Sequence, residues 1–83
     1  MSLATTVSDD GTVWRTIGQS VQGRPIESAR LGRGANRTLF FGVFHGDEEA
    51  GEIALRRLVE YLVKTPSELS GRSVEICPVL NPD

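Results

Sequence analysis

The stretch from Arg37 to Glu52, RTLFFGVFHGDEEAGE, decides how the rest of the chain is read. Leu39, Phe40, Phe41, Val43 and Phe44 are apolar without period-two alternation. That pattern predicts a central strand covered on both faces. Past the strand the pattern turns helical: Gly51, Ala54, Leu55, Leu58, Val59 and Leu62 fall on one stripe at spacings of three and four. The opposite side carries Glu52, Arg56, Glu60 and Lys64, with acid-before-base pairs four residues apart and acids in the first turn, where the helix dipole favours them. Pro66 and Gly71 mark a connection, and Ser73 to Val79 return to strand composition before Asn81-Pro82-Asp83. A strand–helix–strand unit closes by a right-handed crossover, which makes its two strands parallel. His45 to Glu48 and Asn81 to Asp83 then share the carboxyl edge, where open α/β sheets bind ligands.

Upstream, Val13 to Gly18 and Arg24 to Leu31 read as an antiparallel hairpin whose turn uses Gly23 at positive φ. The loop Gly32 to Asn36, GRGAN, has the glycine content of a phosphate cradle but precedes a strand instead of opening a helix, so a plain turn is expected. The first ten residues, MSLATTVSDD, read as a disordered lead-in or expression scar, with structure beginning near Gly11 and one domain segment over residues 11–83.

Composition narrows the function classes. Hydrophobic residues make up 39% and charged ones 24%, an ordinary globular balance. The net charge of −2 is unevenly placed: residues 1–44 hold five arginines against three acids, and residues 45–83 hold four bases against eight acids. No basic stripe with interleaved aromatics is present, which argues against nucleic acid as a partner. No run reaches membrane-span or signal-peptide length, so no membrane role is expected and the cytoplasm is the expected compartment. A single cysteine, Cys77, excludes an internal disulfide and reads as a buried, inert thiol.

His45 is the one histidine, and Glu48 follows three residues later. A neutral imidazole and a carboxylate suit zinc. The same residues also suit a helix cap, with Asp47 or Glu48 accepting N–H bonds and His45 pairing with a carboxylate; spacing alone favours the cap, and the position at the carboxyl end of a buried strand brings the two readings level.

Three segments, GQSVQGRPIESARLG, TLFFGVFHGDEEAGE and SVEICPVLNPD, resemble in order and separation the start of the zinc carboxypeptidase family. The resemblance covers residues 14 to 83, and its most specific parts are the HxxE after a hydrophobic strand and the NPD after the next one. It implies a three-layer α/β/α sandwich around a mixed eight-stranded sheet, with only the first strands and first helix in this segment. It also implies Zn²⁺ as cofactor, with His45 and Glu48 as metal ligands and a second His and a general-base Glu from further chain. Asp47, Asn81 and Asp83 are candidates to support the site from behind the ligands, beside ordinary capping and turn roles. The implied partners are a peptide or murein-peptide substrate and the remaining part of the catalytic domain. Digestive-type members commonly carry Arg between the His and Glu; this chain has Asp47, and HGDE with NPD is more similar to the murein peptide amidase branch. Two ligands leave zinc under-coordinated, so the 83 residues alone are expected to be inactive. The competing expectation is a non-catalytic α/β module, or a degenerate relative without metal.

Overall fold

A computed structural model of the chain describes residues 5–43 and 49–83. Its elements in chain order are strands β1 (Thr5–Val7), β2 (Val13–Gln19), β3 (Pro25–Gly32) and β4 (Asn36–Phe41), helix α1 (Glu49–Lys64), a 3-10 turn (Pro66–Leu69) and strand β5 (Arg72–Cys77). The strands form a mixed sheet in the order β1-β2-β3-β5-β4. β1, β2, β3 and β5 pair antiparallel, whereas β4 and β5 run parallel, with Phe40 opposite Ile76 and Phe41 opposite Cys77. The α/β class, the β2–β3 hairpin and the parallel strand–helix–strand unit are therefore as the sequence predicts.

One face of the sheet meets α1. Val59 and Leu62 of the helix pack on Val74 and Ile76 of β5, flanked by Trp14, Leu31, Leu55, Leu58, Val63 and Leu69. Ala54, expected on the buried stripe, is exposed: it lies at the stripe's margin, and Gly51 and Leu55 take the contact with the end of the β4 segment. On the outer side Arg56 donates to Glu52 at 2.8 Å, the expected i,i+4 pair, and lies 5.3 Å from the centre of the Trp14 ring.

The expected start of structure is corrected. Structure begins before Gly11: the β-branched Thr5, Thr6 and Val7 pair with Arg15, Trp14 and Val13. The polar residues that follow build a turn. Asp10 Oδ1 accepts hydrogen bonds from Ser8 Oγ (2.6 Å), Thr12 Oγ1 (2.6 Å) and the Thr12 N–H (3.0 Å). These donors favour its charged form, Ser8 most strongly, and hold the carboxyl at about 2.

Among the described residues β4 lies at the edge of the sheet, paired with β5. All six of its residues are exposed, with Leu39 at 52%, Phe40 at 38% and Phe41 at 44%. The crossover sets β5 between β3 and β4, with Ile76 and Cys77 fully buried. Burial also raises the Cys77 thiol pKa, in keeping with an inert thiol.

The GRGAN loop is a plain turn fitted to β5. The Gly34 N–H donates to the Arg72 carbonyl at 3.0 Å and the Asn36 N–H to the Gly71 carbonyl at 3.3 Å, so two donors a phosphate would need are committed to backbone. Gly42 is a second place where backbones meet closely. A methyl group there would lie 2.5 Å from the Pro78 carbonyl oxygen and 3.0 Å from Leu55 Cδ1, whereas on Gly51 it would lie 3.5 Å from the Val43 nitrogen, an ordinary contact.

Two outcomes are expected from this packing. Gly42→Ala should lower stability by about 1–3 kcal/mol in chemical denaturation, while Gly51→Ala should be neutral or raise it by about 0.5–1 kcal/mol through helix propensity; equal effects would contradict the geometry. The isolated chain should also associate through β4 as concentration rises, and Leu39→Lys should shift sedimentation towards monomer.

Candidate functional site at the carboxyl edge of the parallel strands

The parallel pairing brings the carboxyl ends of β4 and β5 together, and hydrogen bonding continues past both strands. The Gly42 N–H donates to the Cys77 carbonyl (2.9 Å), the Leu80 N–H to the Gly42 carbonyl (2.9 Å) and the Asn81 N–H to the Val43 carbonyl (3.0 Å). Val43, buried at 6%, has φ of 50°, a left-handed conformation in which a β-branched side chain costs on the order of 1–3 kcal/mol. Its carbonyl and the Gly42 carbonyl are fixed by the segment leading into NPD. His45, Asp47 and Glu48, the residues singled out for metal binding and support, lie outside the described residues. An imidazole nitrogen and a carboxylate oxygen are donors that fit zinc. Among the described residues no group of three or more His, Cys, Asp or Glu could hold a metal.

A third segment reaches the same edge. Because β3 is antiparallel to β5, the turn joining β2 to β3 lies at the carboxyl end of β5. There it receives the last residue. Ser20 Oγ donates to Asp83 Oδ1 (2.6 Å), the Gln22 N–H to Asp83 Oδ2 (3.2 Å) and Arg24 Nη1 to Asp83 Oδ1 (3.2 Å). The turn is itself closed by Ser20 and Arg24, whose backbones pair at 2.8 Å, with Ser20 Oγ also accepting the Arg24 N–H at 3.0 Å. The Asp83 carboxyl is held below its ordinary value, first by the Ser20 hydroxyl, then by the Gln22 N–H and the Arg24 charge, with desolvation opposing. Asn81 Oδ1 accepts the Asp83 N–H at 3.1 Å, an Asx turn that shapes NPD.

Of the predicted supporting residues, Asn81 and Asp83 thus stand at the edge where the sequence placed them, 81 through its backbone bond to Val43 and 83 through its carboxylate on the hairpin turn. Sequence reasoning missed Ser20, Gln22 and Arg24 as partners of Asp83. The available signal was the GRPI element, whose arginine matches the charge of the aspartate, but a separation of 59 residues hides the pairing. The other charged pair on the sheet, Arg30 with Glu75 at 3.2 Å, lies on the face away from α1 and takes no part in this edge.

No curated protein matches the chain. Among solved structures, an aspartoacylase family protein from Mesorhizobium loti is similar in fold, with a TM-score of 0.57 and 23% identity. The similarity covers 99% of this chain and 27% of that one, so the 83 residues span about a quarter of that structure. The family model for zinc carboxypeptidase matches residues 3–83. On that match, which takes in the strand, the HxxE, the helix and the NPD, the chain belongs to the zinc carboxypeptidase family.

Proposed function

We propose that these residues form the opening part of a zinc-dependent hydrolase of peptide or amide bonds, in which His45 and Glu48 are metal ligands. The observation that carries this reading is the family match across the HxxE motif, on a chain whose two parallel strands end together at that motif's flank and at NPD. When bound, zinc polarises the scissile carbonyl and lowers the pKa of a water to near neutrality. What this chain contributes is placement. The hydrogen bonds from Leu80 and Asn81 to Gly42 and Val43 hold the strand end that precedes His45, and α1 begins at Glu49, directly after Glu48. With one histidine among 83 residues, a two-His site draws its second imidazole from further chain, and the family resemblance implies the same for the general base. The 83 residues alone are therefore inactive in this reading.

For substrate, Asp47 sets an acid where digestive-type relatives commonly carry Arg, so the local charge that would attract a substrate carboxylate is reversed. That favours the murein peptide amidase type, which cleaves an amide after γ-glutamate in cell-wall peptides, over a C-terminal carboxypeptidase. The compartment proposed for this activity is the cytoplasm. Among the described residues no helix is long and apolar enough to cross a membrane.

Two measurements test the reading. In the complete protein, His45→Ala should abolish stoichiometric zinc and lower kcat/KM by about 10³-fold or more, the scale of several kcal/mol of lost charge stabilisation. Retained zinc and activity would return His45 to a capping role. Second, a murein tripeptide should be cleaved faster than ordinary C-terminal dipeptide bonds; the reverse order would remove the amidase assignment while leaving the hydrolase.

A further inference from the structure

The contact between Asp83 and the β2–β3 turn is more elaborate than a surface ion pair requires. Exposed pairs contribute about 0–1 kcal/mol and are easily lost. Here both carboxylate oxygens are engaged by three separate donors spread over five residues of the turn. Arg24 Nη1 adds a contact to the Pro82 carbonyl at 3.4 Å. The Asp83 side chain is 16% exposed although the Arg24 side chain is 52% exposed, so the carboxylate end of the pair is the shielded one. The turn is preorganised to receive it: the Gly23 N–H donates to the Ser20 carbonyl at 3.0 Å, and Gly23 takes φ of 81°.

The connection runs on from Asp83. Its N–H is held by Asn81 Oδ1, the Asn81 N–H holds the Val43 carbonyl, and the Leu80 N–H holds the Gly42 carbonyl. A continuous path of hydrogen bonds thus links a hairpin turn near residue 22 to the strand end two residues before His45. Apart from the Arg24 side chain, each link is backbone or a short side chain, so the path transmits position with little slack.

Resting on the metal-ligand assignment made above, we propose that Ser20, Arg24 and Asp83 are positioning residues: they latch the NPD segment to the hairpin, and through Leu80 and Asn81 they set the strand end from which the HxxE ligands depart. A role confined to general stability would weaken all parts of the fold together. A latch acts locally, and partners behind metal ligands typically tune affinity by about 10–100-fold.

The test uses the complete protein with Ser20→Ala and Asp83→Ala, the first removing a single hydroxyl from an exposed turn and so preserving the fold. Zinc affinity is measured by chelator competition, and backbone amide exchange is followed at Leu80 and Asn81 against Val59 and Leu62 in the core of α1. Expected are a loss of about tenfold in zinc affinity in Asp83→Ala, a smaller loss in Ser20→Ala, and faster exchange at Leu80 and Asn81 with α1 unchanged. Unchanged zinc affinity in both variants, where His45→Ala has lost zinc, would overturn the latch and leave the metal assignment standing. So would exchange that quickens equally in α1. If His45→Ala binds zinc as the parent does, the metal assignment itself fails and the latch proposal falls with it.

Discussion

The structure depends on β5 lying between an antiparallel neighbour and a parallel one. Ile76 and Cys77 are fully buried because β3 and β4 flank them, and Val74 and Ile76 take α1 on one face. A strand in this position has every backbone N–H and C=O committed on both sides, which is the least costly way to bury a polar backbone. The other elements are arranged by that choice: the hairpin supplies one neighbour, the crossover the other, and the helix is drawn over the apolar side.

The same arrangement carries the functional edge. The parallel neighbour ends where β5 ends, and the antiparallel neighbour begins there, so three segments far apart in sequence meet at one place. Gly42 allows the approach, since any side chain would collide with the Pro78 carbonyl and Leu55. The left-handed Val43 follows directly. Strain of this kind persists only where surroundings over-determine the backbone, and here the Asn81 N–H and the packing of a buried side chain do so.

Local pattern made much of this legible. The stripe of α1, the hairpin with Gly23 and the parallel crossover follow from periodicity, turn chemistry and handedness, each a property of neighbouring residues. What pattern left out is mostly non-local. The apolar run Leu39 to Phe41 marks a strand to be covered, but hydrophobicity does not encode which strand pairs beside it, and here that is β5. Thr5 to Val7 was too short to register as a strand beside a polar turn, although Asp10 and its three donors define that turn closely. The Asp83 clamp is hidden for a like reason: charge complementarity between residues 24 and 83 has meaning only once the topology has brought them together. Of the candidate site, the sequence named the donor types and the edge, and topology supplied what braces it.

An edge strand that also leads into the site ties folding to function. Leu39 and Phe41 lie on the face away from α1 and Phe40 on the helix side, all partly exposed among the described residues. Fully covering side chains of this size stabilises by about 1.5–3 kcal/mol each, so whatever chain pairs with β4 and covers its faces adds several kcal/mol to the sheet. On the function proposed above, that cover is the same further chain that would supply the second histidine and the general base. Completion of the core and completion of the metal site are then one event. On the metal-ligand proposal, tight zinc binding is then confined to the folded, complete protein.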